Sequence, residues 1–315
     1  MKVIIVIPCF NEAETLPAAL ADLPREIPGA DAVETLVVDD GSTDGTADVA
    51  RAAGVTHVVR HKRNLGLAAA FRTALDAALE RGADVIVGTD ADNQYVAADI
   101  PRLVAPALAG EADLVVGCRD IKTIPHFSPV KKVLQRVGSY AVRTLSGLKV
   151  ADATSGFRAY NREAALRLVV LSKFTYTLET LIQAGYKGLT VAQVPVRVNP
   201  QTRPSRLFRS IPQYLRRSLN TITRAYLLFR PLRVLGTVGA AVVAVGLFLL
   251  GRFLYFYFTI PGPTGHVQSL LVDGVLLLLG FQVVIIALIS DLIAANRRLL
   301  EDVLYRIKSN QYDQR

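Results

Sequence analysis

The sequence predicts an α/β domain, a mostly parallel sheet with helices on both faces, followed by a membrane-directed C-terminal third. Three observations predict it. Short apolar runs alternate with helical patterns through the first half of the 315 residues, the rhythm of strands joined by crossover helices. Polar clusters follow those runs, where ligands bind in such sheets. The apolar excess behind a mean hydropathy of +0.33 gathers near the C-terminus.

Strands are expected over residues 3–7, 34–38, 56–60, 84–89 and 113–117, with helices over 12–23, 43–53, 67–81 and 98–108 between them. The first run, Val3-Ile4-Ile5-Val6-Ile7, is too short for a signal peptide and reads as the first strand. Residues 121–129 read as a loop. Residues 130–146 read as a basic amphipathic helix with Lys131, Lys132 and Arg136 on one face, near lipid or a phosphate. A helix over 176–184 and a strand over 189–198 follow.

Residues 207–231 alternate bulky apolar groups with arginine, which suits helices lying in a membrane interface. Two apolar segments come next. Residues 234–260 are interrupted only by Arg252, and residues 270–294 carry Asp273 and Asp291 near their ends. About 20 residues suffice to span a bilayer, so both qualify. A buried hairpin of a soluble domain is the bland alternative, but segments this long exceed ordinary core helices. The expected organisation is a domain over 1–206, interfacial helices over 207–231, two spans over 232–295 and a tail over 296–315. Arg230 and Arg233 precede the spans, and Arg297, Arg298, Arg306 and Lys308 follow them. The connector Pro261-Gly262-Pro263-Thr264-Gly265-His266 has neither Lys nor Arg. The positive-inside bias thus predicts a multi-pass protein of the cell membrane with its N-terminal domain in the cytoplasm.

The net charge of +9 is uneven. Between residues 180 and 272 there is no Asp or Glu, and there are eleven Lys or Arg. Basic charge beside apolar segments points to anionic lipid as a partner. No nucleic-acid motif accompanies it, so nucleic acid is not expected. Two cysteines, Cys9 and Cys118, are too few for a disulfide framework and read as reduced core residues.

The chemistry is expected at four clusters: Pro8-Cys9-Phe10-Asn11-Glu12, Asp39-Asp40-Gly41-Ser42, Asp90-Ala91-Asp92-Asn93-Gln94 and Cys118-Arg119-Asp120. Two carboxylates one residue apart at a strand end, with an amide oxygen nearby, suit a hard cation such as Mg2+ or Mn2+. Such a cation shares its sphere with substrate phosphates, which implies a nucleotide diphosphate. At least one of Asp39 and Asp40 is expected to recognise ribose or base, although both could merely cap the next helix. Glu12 could equally be a helix-start acid. The segment Asp152-Ala153-Thr154-Ser155-Gly156-Phe157-Arg158 brings together an acid, a hydroxyl, a flexible backbone and a guanidinium. Arg203 and Arg206 sit where phosphates would arrive, with a solvated face as the alternative. There is no GxGxxG and no Walker loop, which disfavours a dinucleotide or P-loop site.

Taken together, these pieces resemble family 2 glycosyltransferases of the polyprenyl-phosphate type, whose members include dolichyl-phosphate mannose synthase and undecaprenyl-phosphate sugar transferases. Asn64-Leu65-Gly66, Val116-Gly117-Cys118-Arg119 and Ser155-Gly156-Phe157 add to the match, which covers about residues 1–210. Cys9 and Phe10 depart from the commoner small and tyrosine residues of the pattern. The resemblance implies a GT-A fold, inversion at the sugar C1, and transfer from a nucleotide sugar to a polyprenyl monophosphate. The donor would be a UDP-hexose, a UDP-N-acetylhexosamine or GDP-mannose. It also implies a homo-oligomer.

Carried over by position, Pro8, Phe10, Asn11, Glu12, Val38 and Asp40 would hold the nucleoside. Asp90, Ala91, Asp92 and Gln94 would line the diphosphate, with Asp90, Asp92 and Gln94 as metal ligands. Glu179 and Arg203 would complete the donor site. Arg119, Lys131, Arg136, Ser155, Arg203, Arg206 and Arg209 would face the acceptor phosphate and lipid. Asp92, Asp152 and Arg119 are the expected catalytic residues, with Asp152 orienting the acceptor or taking a residual proton. A phosphate monoester is largely dianionic near neutrality and hardly needs a base.

Three rivals fit less well. A processive polysaccharide synthase would carry a Gln-x-x-Arg-Trp motif, and the chain has no Trp. A non-catalytic scaffold has no need of the acidic set. A nucleotidyltransferase would show a Gly-rich, Arg-containing loop after the first strand.

Overall fold

The computed structural model describes residues 1–119, 143–144, 146–170, 176–200, 223, 231–259 and 267–313. All but residues 223 and 231 of the expected interfacial helices, the connector over 261–266 and all but three residues of the expected basic helix lie outside these. So do Lys131, Arg136, Arg203, Arg206 and Arg209.

Seven strands form one sheet. They are β1 (Lys2–Cys9), β2 (Ala32–Asp39), β3 (His57–Arg60), β4 (Val85–Gly88), β5 (Leu114–Arg119), β6 (Arg158–Asn161) and β7 (Val191–Val196). Their order is β3-β2-β1-β4-β6-β5-β7. Only β6 runs antiparallel, to β4 and β5. Helices α1 (Leu16–Ala21), α2 (Thr46–Ala52), α3 (Leu67–Glu80), α4 (Ile100–Leu108), α5 (Arg162–Arg167) and α6 (Thr177–Tyr186) accompany the sheet.

Central β1 explains the architecture. Val3, Ile4, Ile5, Val6 and Ile7 are all fully buried, as a parallel strand covered on both faces requires. Val3 and Ile5 pack with Ile100, Leu103 and Val104 of α4. Ile7 and Cys9 pack with Leu16, Val37 and Ala50. Burying each aliphatic side chain contributes roughly 1.5–3 kcal/mol before entropy is counted.

Several boundaries differ from expectation. α1 begins only at Leu16, with Pro17 in its first turn, where the missing N–H costs nothing. Residues 12–15 form the turn before it, with Glu12 O accepting from Leu16 N at 2.9 Å. α2 starts after Gly45, whose φ of 84° is left-handed. Strand β6 and helix α5 were not expected.

The chain divides into two compact units, Met1–Ile222 with Asp302–Arg315, and Thr223–Glu301. In the first, the end of the last helix packs against the sheet's helices. Lys308 Nζ bonds Asp76 Oδ1 at 2.7 Å, and Tyr305 Oη bonds Glu163 Oε2 at 2.9 Å.

The second unit is a helical pair, from α7 (Pro231–Thr259) and most of α8 (Val267–Asp313). Both are long and apolar enough to cross a membrane, their most apolar 18-residue stretches averaging 2.3 and 2.6 in hydropathy. They meet through glycines. A Cβ at Gly239 would lie 2.8 Å from Val284 Cγ2, and one at Gly280 would lie 2.6 Å from Val243 Cγ2. Small residues let helix backbones approach closely where burial from water gives no drive. Asp273, one heptad before Gly280, is 1% exposed. Among the described residues neither of its carboxylate oxygens has a hydrogen-bond partner.

Candidate active site

Parallel β1 and β4 are neighbours, yet β1 is followed in the chain by β2 on its other side. The order therefore reverses between β1 and β4, and a crevice opens beyond their carboxyl ends. Phe10, Asn11 and Glu12 leave β1 there, and Thr89, Asp90, Ala91 and Asp92 leave β4.

The β1 and β2 loops are stitched together. Asn11 takes a left-handed φ of 54°, which asparagine tolerates. Its amide donates to Ser42 Oγ at 2.9 Å, and its Oδ1 accepts from Thr43 N at 2.9 Å. Glu12 N donates to Thr46 Oγ1 at 2.9 Å. Phe10 is left 40% exposed at the rim, a ring face open for stacking a base. Pro8 is half-buried. Val38 is fully buried, so only its backbone could meet a donor, a correction to its expected role.

Asp40 also departs from expectation. Its carboxylate already accepts from Leu65 N at 2.9 Å, Gly66 N at 2.8 Å and His61 Nδ1 at 2.7 Å. It organises the loop before α3 rather than waiting for a nucleoside. Gly41 makes this possible: its φ is 75° and a Cβ there would lie 2.5 Å from the Arg63 carbonyl carbon. Neighbouring Asp39 is the better candidate for a ligand. Its Oδ1 accepts from Ser42 N at 2.9 Å. Its buried Oδ2 has no hydrogen bond among the described residues, although Arg60 Nε lies 3.1 Å away as an ion-pair partner.

At the β4 end, Asp92 Oδ1 accepts from Gln94 N at 3.1 Å, which tightens the loop. Asn93, at φ 55°, bonds Asp22 through its Nδ2 at 2.7 Å. Gln94 O accepts from Asn199 N at 2.8 Å, and Tyr95 pairs with Val198 in an isolated bridge. The loop is thus fixed from both sides. Burial, then the charge of Asp92, pushes the Asp90 carboxyl up to about 7. Arg119 opposes the shift, and Glu12 adds to it.

Arg119 ends β5. Its Nε and Nη2 donate to Asp152 at 2.7 and 3.2 Å, and Nη2 reaches Thr154 Oγ1 at 3.1 Å. The two side chains are 8% and 0% exposed. Burial alone would raise the Asp152 carboxyl, but Arg119 holds it below the usual carboxylate range. Asp152 therefore aims Arg119. It is not free to orient an acceptor, which corrects its expected role.

The segment after Asp152 is likewise turned inward. Ser155 is fully buried, and its Oγ accepts from Phe157 N at 3.3 Å and lies 3.5 Å from Tyr95 Oη. No surface remains for a phosphate, so Ser155 is not an acceptor contact. Arg158, expected to carry chemistry, is fully buried and saturated. It donates to the carbonyls of Ser155, Ala153 and Thr177 and to Thr180 Oγ1, each at 2.8 Å. It fastens β6 to α6, on whose first turn Glu179 is buried.

Two tyrosines that sequence reading passed over line this centre. Tyr95 stacks on Phe157 with centroids 4.8 Å apart, and the Arg119 guanidinium lies 5.8 Å from the Tyr95 ring centre. Tyr176 stacks on Phe71 at 3.7 Å. The only local signal was an aromatic directly after Gln94.

Among the described residues no group of three His, Cys, Asp or Glu is placed to hold a metal. Asp90 and Asp92 nevertheless fit a divalent cation. They are two hard oxygen donors whose mutual repulsion a cation would relieve, an incomplete set that phosphates and water would complete.

Comparison with known proteins agrees with this geometry. The family model "Glycosyl transferase family 2" matches residues 4–168. The chain is 34% identical to undecaprenyl-phosphate mannosyltransferase of Micrococcus luteus over 62% of its own length and 83% of that protein. It is 28% identical to glycosyltransferase AglJ of Haloferax volcanii over 94% of its length and 95% of that protein. Its fold matches a crystal structure of glucosyl-3-phosphoglycerate synthase from Mycobacterium tuberculosis in complex with Mn2+, UDP and glucosyl-3-phosphoglycerate. There the TM-score is 0.54 and the identity 24%, covering 72% of this chain and 78% of that one. The architecture is the GT-A fold.

Proposed function

This chain belongs to glycosyl transferase family 2, and from that premise we propose that it transfers a hexose from a nucleotide sugar to a polyprenyl monophosphate at a membrane surface. The chain is a glycosyltransferase; the acceptor, the metal and the stereochemistry belong to the proposal. One observation carries it. Asp90 and Asp92 sit together at the chain-reversal crevice, and Asp90 is within electrostatic reach of Arg119, a guanidinium already aimed by Asp152. Anion-demanding and cation-demanding groups thus share one centre, as a reaction between two phosphates requires.

Phe10 stacks on the base, and Asp39, ion-paired to Arg60 through Oδ2, accepts from it or from the ribose. Asp90 and Asp92, with Gln94, would hold Mg2+ or Mn2+, which when bound supplies positive charge to the departing nucleoside diphosphate. Arg119 draws the acceptor phosphate toward the sugar. Its position is set before the substrates arrive, so little reorganisation is needed during reaction. In-line attack on C1 from the face opposite the nucleotide gives inversion. The acceptor's name in the M. luteus relative and the two long apolar helices support a lipid acceptor. The same helices support a membrane location, and the Arg and Lys residues that flank them support a cytoplasmic sheet domain and membrane lipid as a partner.

The test incubates the full chain in lipid vesicles with undecaprenyl or dolichyl phosphate, Mn2+ or Mg2+, and a panel of UDP- and GDP-sugars. One nucleotide should be released in step with formation of a lipid-phosphate sugar, and chelation should stop it. Sugar release into water without lipid product would reject the acceptor.

A further inference from the structure

Gly156 lies against the carboxylate that the proposed function places at the metal. An ideal Cβ at Gly156 would sit 3.6 Å from both Asp90 oxygens and 3.2 Å from Tyr176 Oη. The peptide itself is held on both sides. Gly156 N donates to Tyr95 Oη at 3.2 Å, and Tyr176 Oη lies 3.5 Å from Gly156 O, a long hydrogen bond. The same Tyr95 carries Arg119 over its ring at 5.8 Å, within cation–π range. Tyr95 is three residues beyond Asp92, on the loop pinned by the Val198 bridge.

We propose that Tyr95 is a positioning residue that sets both halves of the centre, holding the Gly156 peptide against Asp90 with its hydroxyl and Arg119 in place with its ring, while Tyr176 forms the opposite wall. This rests on the proposed function, since it assigns Asp90 to the metal side and Arg119 to the acceptor side. The need for it is physical. Asp90 and Arg119 leave different strands, β4 and β5, which are not neighbours because β6 lies between them. The backbone sheet alone does not fix their side chains relative to each other. A rigid aromatic that bonds the peptide lying against Asp90 and carries Arg119 over its ring does, and groups that orient metal ligands typically change metal affinity or activity by about 10–100-fold when lost. Gly156 belongs to the same device. A side chain there would enter the space between Tyr176 and Asp90.

The experiment uses the full chain in detergent, with Tyr95→Phe, Tyr95→Leu, Tyr176→Phe and Tyr160→Phe. Tyr160 is an equally buried tyrosine that packs at a tilt on Phe71, and its hydroxyl has no hydrogen-bond partner among the described residues, so it controls for loss of a buried hydroxyl. Mn2+ binding without substrates is read by electron paramagnetic resonance. Transfer is read with whichever nucleotide sugar the wild type uses. Tyr95→Phe should weaken Mn2+ binding about tenfold. Tyr95→Leu, which also removes the ring beneath Arg119, should in addition lower kcat about tenfold at saturating Mn2+ while the donor KM stays within about twofold. Tyr176→Phe should weaken Mn2+ binding less than Tyr95→Phe, and Tyr160→Phe should match wild type.

Wild-type Mn2+ affinity in Tyr95→Phe with wild-type kcat in Tyr95→Leu overturns the proposal. So does an equal loss in Tyr160→Phe, which would mark general damage to the core. A lower kcat with unchanged Mn2+ affinity overturns the link to Asp90. If the wild type neither binds Mn2+ nor transfers sugar, the reading of the site fails and the proposal with it.

Discussion

Asp152 grips Arg119 with two hydrogen bonds, at 2.7 Å to Nε and 3.2 Å to Nη2, in a pocket that hides both side chains. Removing one member of a buried pair strands the other. Asp152→Ala should therefore cost about 3–5 kcal/mol of stability and most of the transfer rate. Replacing both with apolar residues should restore stability without activity. The folded carboxyl lies below its ordinary value of 3.8. Its contribution is thus complete above pH 3.8 and is lost only as pH falls through the lower folded value. Urea unfolding at pH 7 and at pH 3 checks both points; equal destabilisation by Asp152→Ala at both would contradict the pairing.

Asp90 has the opposite sign. Its carboxyl is raised from 3.8 to about 7, so between those values the folded chain carries a proton that the unfolded chain has released. Stability without metal should fall as pH rises across that window and level off above it. Asn at this position removes the penalty. In the presence of chelator at pH 8, Asp90→Asn should be more stable by an amount on the order of a few kcal/mol, read as a higher melting temperature, while losing transfer. A lower melting temperature would show that the charge is already compensated.

Asp273 is costly where it stands, with both oxygens buried and unbonded among the described residues. Asn has nearly the same volume and no charge to bury. Asp273→Asn should stabilise the chain in detergent by about 1–3 kcal/mol, read as a higher midpoint of thermal unfolding. Destabilisation instead would reveal a partner that the acid meets in the membrane.

Much of the sheet was legible because β1, β4 and β5 are mostly aliphatic and β2 carries the run Leu36-Val37-Val38. β6 was not, since Arg158-Ala159-Tyr160-Asn161 carries too few aliphatics to stand out. Its arginine looked like chemistry because its partners, Thr177 and Thr180, lie about twenty residues away. The acidic set was legible as a set. Its division of labour was not. Which of Asp39 and Asp40 keeps an open oxygen depends on amides at Leu65 and Gly66, and nothing local to either aspartate reveals that. Tyr95 stayed hidden for a related reason: alone it reads as an ordinary strand aromatic, and its role rests on Gly156 and Arg119.

The tail of α8 has a practical corollary for handling the protein. Tyr305 and Lys308 reach Glu163 and Asp76 of the sheet domain, and Tyr312 is buried. A water-soluble fragment cut at Ile222 would lose these contacts and leave a raw patch along α3 and α5. Joining residues 302–315 back through a short linker, in place of the apolar pair, is the sounder route to a crystallisable enzyme.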